Sequence, residues 1–435
     1  MSARRRVVIT GLGLVSPLGN SPEELWNALS TGKSGVDVLT RIPYQHLTTD
    51  IGGECRDFTG DIADFGDVDK KLKRNIKKAL KLMCREIQMG VAAAQFAIGN
   101  SGIQGNYEAA RIGTLFGSDY IITEPGEFAF GVSNCMADGK FDFEHWAENG
   151  LPKVEPTWLL KYLPNMPASH VAILNDLQGP SNSLTVREAS ANLAVGEATT
   201  IIQRGSADAM VVGSTGSRIQ TLRTVHVVLQ EALASRSAQG VDGKAEKACR
   251  PFDKDRCGMV LGEGAGAIVL ENLESAQARG ATIYGEVTGY SSSLVASGGV
   301  PDFEKAFQNI ILGSLETAKI KADEVGHVHA HGVSSTGIDR QEAVAIKSVL
   351  GDVPVTAAKS YMGNLGAGSG LVELISSLLA MKHGKLFPVL NYATPDEQCP
   401  INVVAEMGTP GDVCLNLNCT PQGQGSAVVV QSVTA

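Results

Sequence analysis

Short apolar runs alternate with longer amphipathic or alanine-rich segments along most of the chain. Short runs rich in β-branched residues are typical of buried strands, and the longer segments are typical of helices. The predicted strands cover residues 7–10, 112–116, 183–186, 209–212, 258–270, 281–289, 328–331, 353–358, 413–417 and 427–432. The predicted helices cover residues 22–31, 70–90, 168–175, 189–204, 222–234, 303–319, 339–350 and the segment that ends at 381. This alternation predicts an α/β protein.

The alternation of strand and helix occurs in both halves of the chain, with polar residues at strand-to-helix junctions in each. We therefore expect two α/β units, residues 1–255 and 256–435, with a functional site between them. Residues 119–160 form a long irregular insertion, and such insertions tend to line a cavity or an interface.

One of these junctions lies between the strand at 183–186 and the alanine-rich helix that follows. It falls at Arg187 and Glu188. Free N–H groups and the helix dipole favour negative charge at the start of a helix. Many enzymes place a nucleophile at such a point, because a thiolate or oxyanion is stabilised there. Here the residue is a glutamate.

The composition excludes several classes of protein. The chain has 435 residues, is 43% hydrophobic and carries a net charge of −9, whereas binders of nucleic acid or anionic membranes are usually basic. Its eight cysteines form no C-x-x-C pair, so a zinc site is not expected and a reducing cytoplasm is the predicted location. The first apolar run is broken by glycine and proline, unlike a signal peptide, and no run is long enough to predict a membrane span.

The predicted helix at 70–90 begins with a basic cluster that is unusual in an acidic chain. This is the second predicted helix, α2, and we call the cluster the α2 basic patch; its residues are Lys70, Lys71, Lys73, Arg74, Lys77 and Lys78. It is either a solvated helix face or a docking surface for an acidic partner. Neither glycine-rich segment, at 258–266 or 363–370, has the order of a dinucleotide fingerprint or a P-loop, so no nucleotide cofactor is expected.

Four polar side chains stand out because each follows a predicted strand: Glu188, His331, Lys359 and Asn364. Each alone is a weak signal. A histidine at a strand end is often structural, and Lys359 could simply pair with an acid such as Glu373. Their shared position at strand ends of an α/β chain is what indicates a site.

Several longer motifs follow one another along the chain: an opening RRRVVITGLGLVSPLG, then GPSNSL, RPFDKDRCGMVLGEGAGAIVLENLESAQARGATIYGEVTGY, AHGVSSTGIDRQEA and KSYMGNLGAGSG. In these motifs, and from end to end, the chain resembles a known family, the β-ketoacyl-acyl-carrier-protein synthases of the elongating type. The resemblance implies a thiolase fold, with two similar α/β halves and buried mixed sheets in an α-β-α-β-α arrangement. It also implies a dimer that uses an acyl carrier protein and no cofactor.

The family works with a cysteine, two histidines and a supporting lysine. Matched position by position, the resemblance places these functions at Glu188 for the nucleophile, His331 and Asn364 for the histidines and Lys359 for the lysine. It gives Glu373 as the helix acid, Asp339 and Glu342 as supporting acids, and Thr420 in place of the gating phenylalanine beside the oxyanion site.

These departures remove the usual acyl acceptor, because a carboxylate is a far weaker one than a thiolate. Three functions stay open. The first is that of a non-condensing partner subunit of an active ketosynthase, resembling a chain-length factor. The second is that of an enzyme with altered chemistry, such as malonyl decarboxylation or general-base catalysis by Glu188. The third is that of an acyl or carrier-protein binding module without chemistry. Whether it forms a homodimer or a heterodimer is equally open.

Overall fold

The computed structural model describes residues 5–238 and 240–433, so Arg4 of the opening motif and Gln239 lie outside the described residues. The strands are β1 Val7–Val15, β2 Val36–Val38, β3 Ile51–Gly53, β4 Ile112–Ser118, β5 Met136–Ala137, β6 Lys140–Phe141, β7 Ser181–Thr185, β8 Ala209–Ser217, β9 Leu261–Asn272, β10 Gly285–Leu294, β11 Ala296–Ser297, β12 Val300–Pro301, β13 His327–His329, β14 Pro354–Thr356, β15 Asn402–Val403, β16 Val413–Cys419 and β17 Gln424–Gln431. The helices are α1 Pro22–Thr31, α2 Lys70–Ala79, α3 Arg85–Ser101, α4 Gly126–Ser133, α5 Met166–Asn175, α6 Ser190–Gln203, α7 Thr221–Gln230, α8 Leu273–Ala278, α9 Phe303–Ala318, α10 Ile338–Leu350, α11 Lys359–Met362 and α12 Ser369–His383.

The strand order shows that the two halves repeat one topology. The first set runs β1-β9-β8-β4-β7, and the second runs β10-β17-β16-β13-β14. In the first set β4 pairs in parallel with β7 and β8, and β9 pairs antiparallel with β8 and β1. In the second set β13 pairs in parallel with β14 and β16, and β17 pairs antiparallel with β16 and β10. The two similar mixed strand sets that were expected are therefore present, and antiparallel pairing of β1 with β10 joins them into one large sheet. The change from one set to the other falls between Asn272 and Gly285, and the division of the chain after residue 255 stays a prediction.

Three apolar clusters show how helices and sheets are layered. One packs α6 and α12 together with strands of both sets, another packs α3 on β1, β8 and β9, and a third packs α9 and α10 on β13, β16 and β17. Helices α6 and α12 are thus the central layer, with a sheet on each side and helices outside both. This is the predicted α-β-α-β-α arrangement, and it buries both central helices between two apolar surfaces.

The basic segment differs from its prediction. Instead of one helix over 70–90, α2 ends at Ala79, a short turn follows, and α3 begins at Arg85. Met83 and Cys84 are extended, which breaks the helical path. The break lets α2 stay exposed on the surface while α3 is buried against β1, a change of environment that charge and periodicity alone did not show.

Helix α3 approaches β1 so closely that glycine is required at the contact. A Cβ atom at Gly13 would collide with the Ala93 carbonyl oxygen and the Ala97 nitrogen, both backbone atoms of α3. At Gly99, on the exposed side of the same helix, a Cβ atom would have nothing within 4 Å. The two glycines therefore predict opposite responses to an added side chain.

We expect Gly13→Val to lower the free energy of unfolding by about 3 kcal/mol, because backbone atoms cannot move aside as a flexible side chain would. Gly99→Ala, the matched control in α3, should raise it by roughly 0.5–1 kcal/mol through helix propensity. Urea unfolding followed by circular dichroism measures both. Equal effects of the two substitutions would contradict this account of the β1–α3 contact.

Candidate active site

Glu188 lies where the chain leaves β7 and enters α6. Arg187 has a φ of 50°, an uncommon left-handed conformation for a residue other than glycine, and it makes the turn sharp. The Ser190 hydroxyl fixes the turn, since it accepts from the Val186 N–H at 2.9 Å and donates to the Ser118 carbonyl at 2.8 Å. Glu188 is fully buried at this point. The strand-to-helix junction is therefore where the sequence placed it, and it aims a carboxylate into the interior.

The Glu188 carboxylate is ion-paired with the guanidinium of Arg218, and both side chains are fully buried. Asn364 Nδ2 donates to Glu188 Oε1 at 3.3 Å. Arg218 directly follows β8, and its own N–H donates to the Gly262 carbonyl at 2.9 Å. Its Nη1 lies 3.0 Å from Glu231 Oε1, just beyond α7. Two carboxylates thus hold one buried guanidinium; burial lowers the pKa of Arg218, and the charge of Glu231 only partly opposes that shift.

The ion pair belongs to a larger group, which we call the Glu188 ion cluster. Its members are three acids, Glu188, Glu231 and Asp119, and three arginines, Arg187, Arg218 and Arg223. Arg187 Nη2 lies 3.1 Å from Glu231, and its Nε lies 3.7 Å from both Glu188 and Asp119. Arg223 pairs with Asp119. The charges balance, as a buried cluster requires.

A second group surrounds His331. Lys359 Nζ pairs with the Glu373 carboxylate and lies 3.4 Å from His331 Nδ1. Asn418 Nδ2 donates to the other Glu373 oxygen at 3.0 Å. Burial, and to a lesser extent the positive charge of Lys359, lowers the pKa of His331 well below its usual value. His331 is therefore a neutral imidazole, and because the Lys359 ammonium can only donate to Nδ1, its proton is on Nε2.

The two groups form one site. Asn364 follows α11, which begins at Lys359, and contacts Glu188 across the two halves. The charge of Arg218 also lowers the pKa of His331. The structure thus brings together the four strand-end residues that the sequence singled out, and Lys359 has the acid partner, Glu373, that was considered for it.

Asp339 and Glu342, at the start of α10, hold the loop after β13. Glu342 accepts from the N–H groups of His331 at 2.6 Å and Gly332 at 2.9 Å. Asp339 accepts from the N–H groups of Val333 and Phe252, both at 3.1 Å. Burial raises the pKa of Glu342 to about 8 and that of Asp339 to about 6, while these backbone hydrogen bonds oppose the shift. Both acids thus fix the backbone that carries His331.

The remaining predicted residues lie in different settings. Thr420, directly after β16, is buried, and its backbone closes a tight turn with Gln424, with N–H to carbonyl at 2.9 Å. The residues of the α2 basic patch are all exposed on the surface of α2. Within residues 5–238 and 240–433 no cluster of three or more potential metal ligands occurs, and none of the described helices has the length and apolar character to cross a membrane.

The sequence did not single out Arg218, Glu231, Asp119, Arg187 or Arg223 as site residues. Arginine is usually exposed, and nothing in the local periodicity marks Arg218 as fully buried. The available signal was position: Asp119 and Arg218, like His331, follow strands of the parallel core.

Comparison with known proteins agrees with this geometry. The family model described as "Beta-ketoacyl synthase, N-terminal domain" matches residues 4–276, and the corresponding C-terminal domain model matches residues 284–393. The chain belongs to the β-ketoacyl synthase family. The gap between the two models coincides with the change of strand set between β9 and β10.

Individual β-ketoacyl synthases match over the whole chain. A 3-oxoacyl-[acyl-carrier-protein] synthase 2 from Staphylococcus aureus is 33% identical over 99% of both chains. One from Synechocystis is 32% identical over 92% of this chain and 91% of its own. Among solved structures, the ishigamide ketosynthase/chain length factor superposes with a TM-score of 0.83 at 26% identity, covering 99% of this chain and all of that one. A type II polyketide ketosynthase solved in complex with its acyl-carrier protein gives 0.82 at 25% identity, with the same coverage.

The buried ion pair predicts an asymmetric response to substitution in this β-ketoacyl synthase relative. We expect Arg218→Met to lower the free energy of unfolding by about 3–5 kcal/mol, because Glu188 then remains buried without its guanidinium. The double variant Glu188→Gln/Arg218→Met should recover most of that loss, since no orphaned charge remains on either side. Denaturant unfolding of these two variants, of the single variant Glu188→Gln and of the unsubstituted protein gives the coupling free energy between residues 188 and 218. Additive effects would show that Glu188 and Arg218 do not stabilise each other.

Proposed function

We propose that this chain is a non-condensing ketosynthase subunit of fatty-acid or polyketide chain assembly. It pairs with a cysteine-bearing ketosynthase and shapes the acyl cavity, as a chain-length factor does. The observation that supports this most directly is the buried Glu188–Arg218 ion pair at the nucleophile position.

Condensation begins when a thiolate attacks a thioester and takes over the acyl group. A carboxylate is a poor acyl acceptor, and the anhydride that it would form is short-lived in water. In this chain Oε1 of the carboxylate is also engaged by Arg218 and Asn364, and the positive charge of Arg218 makes the carboxylate a still weaker nucleophile. The remaining groups, His331 and Lys359, lie beside a position that cannot hold an acyl chain covalently.

The same contacts weigh against Glu188 as a general base. A guanidinium in contact stabilises the charged carboxylate, whereas a base must give up that charge when it takes a proton. Malonyl decarboxylation is disfavoured as well, because a malonyl carboxylate would compete with Glu188 for Arg218.

Pairing with a second subunit is supported by the surface around β7. This strand pairs with β4 on one side, within the described residues no strand covers its other side, and its ends are exposed. Unpaired strand edges favour addition of another strand. Large apolar side chains are also exposed in and near the 119–160 insertion: Phe130, Phe143, Leu151, Leu159 and Ile173. A partner would cover both features.

We expect co-expression with a cysteine-bearing ketosynthase from its own gene neighbourhood to give a heterodimer, detected by native mass spectrometry. Phe130→Glu/Phe143→Glu should weaken that complex at least tenfold, because both side chains are already exposed and the substitutions spare the monomer fold. Leu312→Glu, on an exposed α9 position away from β7, is the matched control and should leave binding unchanged. Only homodimers in the mixture would contradict the proposed partnership.

We propose further that the α2 basic patch binds the acyl carrier protein that delivers phosphopantetheine-linked chains. Surface charge of one sign speeds encounter with a partner of the other sign. We expect Lys73→Glu/Arg74→Glu/Lys77→Glu to weaken binding of acyl carrier protein at least tenfold, measured by surface plasmon resonance at low salt. The control Lys319→Glu/Lys321→Glu/Lys385→Glu changes net charge equally at other exposed sites. Equal losses in both triple variants would mean that only net charge matters.

A further inference from the structure

Arg218 lies against the end of the Glu188 side chain. A cysteine sulfur at residue 188 would take the place of Glu188 Cγ, so the first atoms of an acyl group bonded to it would extend to where the carboxylate and its contact with Arg218 now lie. On the other side of the guanidinium, a Cβ atom at Gly366 would lie 3.7 Å from Arg218 Nε, so the loop before α12 packs directly against it. The side chain is therefore enclosed between residue 188 and that loop.

Arg218 is also held firmly in this position. Two carboxylates, Glu188 and Glu231, bind its guanidinium, and its backbone N–H is bonded to Gly262 of the neighbouring strand. Displacing it would leave the buried Glu188 carboxylate with only the Arg187 guanidinium, 3.7 Å away, as a counter-charge, which is costly. An acyl chain cannot push Arg218 aside in the way it could move an apolar side chain.

We propose that Arg218 is a specificity-determining residue that excludes acyl chains from this chain's own nucleophile position. Restoring the cysteine at residue 188 is then not enough to restore acyl transfer, because the space beside it stays filled. The inference rests on the proposed loss of condensation but not on the pairing with a second ketosynthase. It is therefore tested on the isolated chain, and its failure would leave the heterodimer result unaffected.

The reaction that reports on this space is transfer of an acyl group from acyl carrier protein to Cys in the Glu188→Cys variant. The thiolate sulfur attacks the thioester carbonyl and forms a new C–S bond. The C–S bond to phosphopantetheine breaks, and the departing thiol takes up the proton that the cysteine released. No other reactant is needed.

Two double variants separate the effect of where Arg218 lies from the effect of removing a positive charge. Glu188→Cys/Arg218→Ala and Glu188→Cys/Arg223→Ala each remove one acid and one arginine from the Glu188 ion cluster. Both leave the cluster balanced, because two acids, Glu231 and Asp119, remain with two arginines, which are Arg187 and either Arg223 or Arg218. Only the first variant empties the space beside residue 188, since Arg223 pairs with Asp119.

Each variant is incubated with acetyl- and octanoyl-acyl carrier protein, and acylation at residue 188 is measured by peptide mass mapping. We expect Glu188→Cys/Arg218→Ala to be acylated by the octanoyl probe at least tenfold faster than Glu188→Cys or the Arg223 control. The gain should be larger for octanoyl than for acetyl.

Equal octanoyl acylation of Glu188→Cys and the Arg218 double variant would overturn the proposal. So would a folded Arg218 double variant that takes up no acyl group, or a gain independent of chain length. If circular dichroism shows that the alanine variant is unfolded, Glu188→Cys/Arg218→Val, which keeps an apolar contact at the strand end, is judged by the same outcomes.

Discussion

The site depends on a buried carboxylate that must have a counter-charge. Glu188 starts the central helix α6, between two sheets that exclude water, and Arg218 supplies the positive charge. That one ion pair connects the β7–α6 junction to the end of β8. Glu231, at the end of α7, also pairs with Arg218, and Asn364, from the other half of the chain, donates a hydrogen bond to Glu188. Leaving one charge of such a pair unpaired costs several kcal/mol, so these segments are fixed relative to one another.

The repeated topology explains why these residues meet. Glu188 and Lys359 each follow the third strand of their set, just before the central helices α6 and α12. Asp119 and His331 follow the second strands, and Arg218 and Thr420 follow the fourth. Each half therefore contributes the carboxyl ends of its parallel strands, the usual place for a site in an α/β sheet. The first half supplies charged groups there, and the second supplies a neutral imidazole with its lysine.

Much of this arrangement was predictable from the sequence, because motif order gives the family and the family gives the fold. The Glu188 junction was visible from a β-prone run followed by an alanine-rich helix. The break between α2 and α3 was not, since the basic residues continue past it without a glycine or proline. Arg218 was not either, because its side chain is enclosed by Glu188 and by the loop at Gly366, which are distant along the chain and adjacent only after folding.

The balance of charges at Glu188 bears on which substrates the site could still attract. A lone arginine beside His331 would draw in a malonyl carboxylate, whereas Arg218 is already neutralised by two acids of its own chain. The cluster as a whole has three positive and three negative groups, so it offers no net attraction to an anion. An apolar side chain would fill the same space at a smaller desolvation cost. The ion pair does more than fill space: it occupies a cation next to residue 188 that could otherwise have bound a substrate carboxylate.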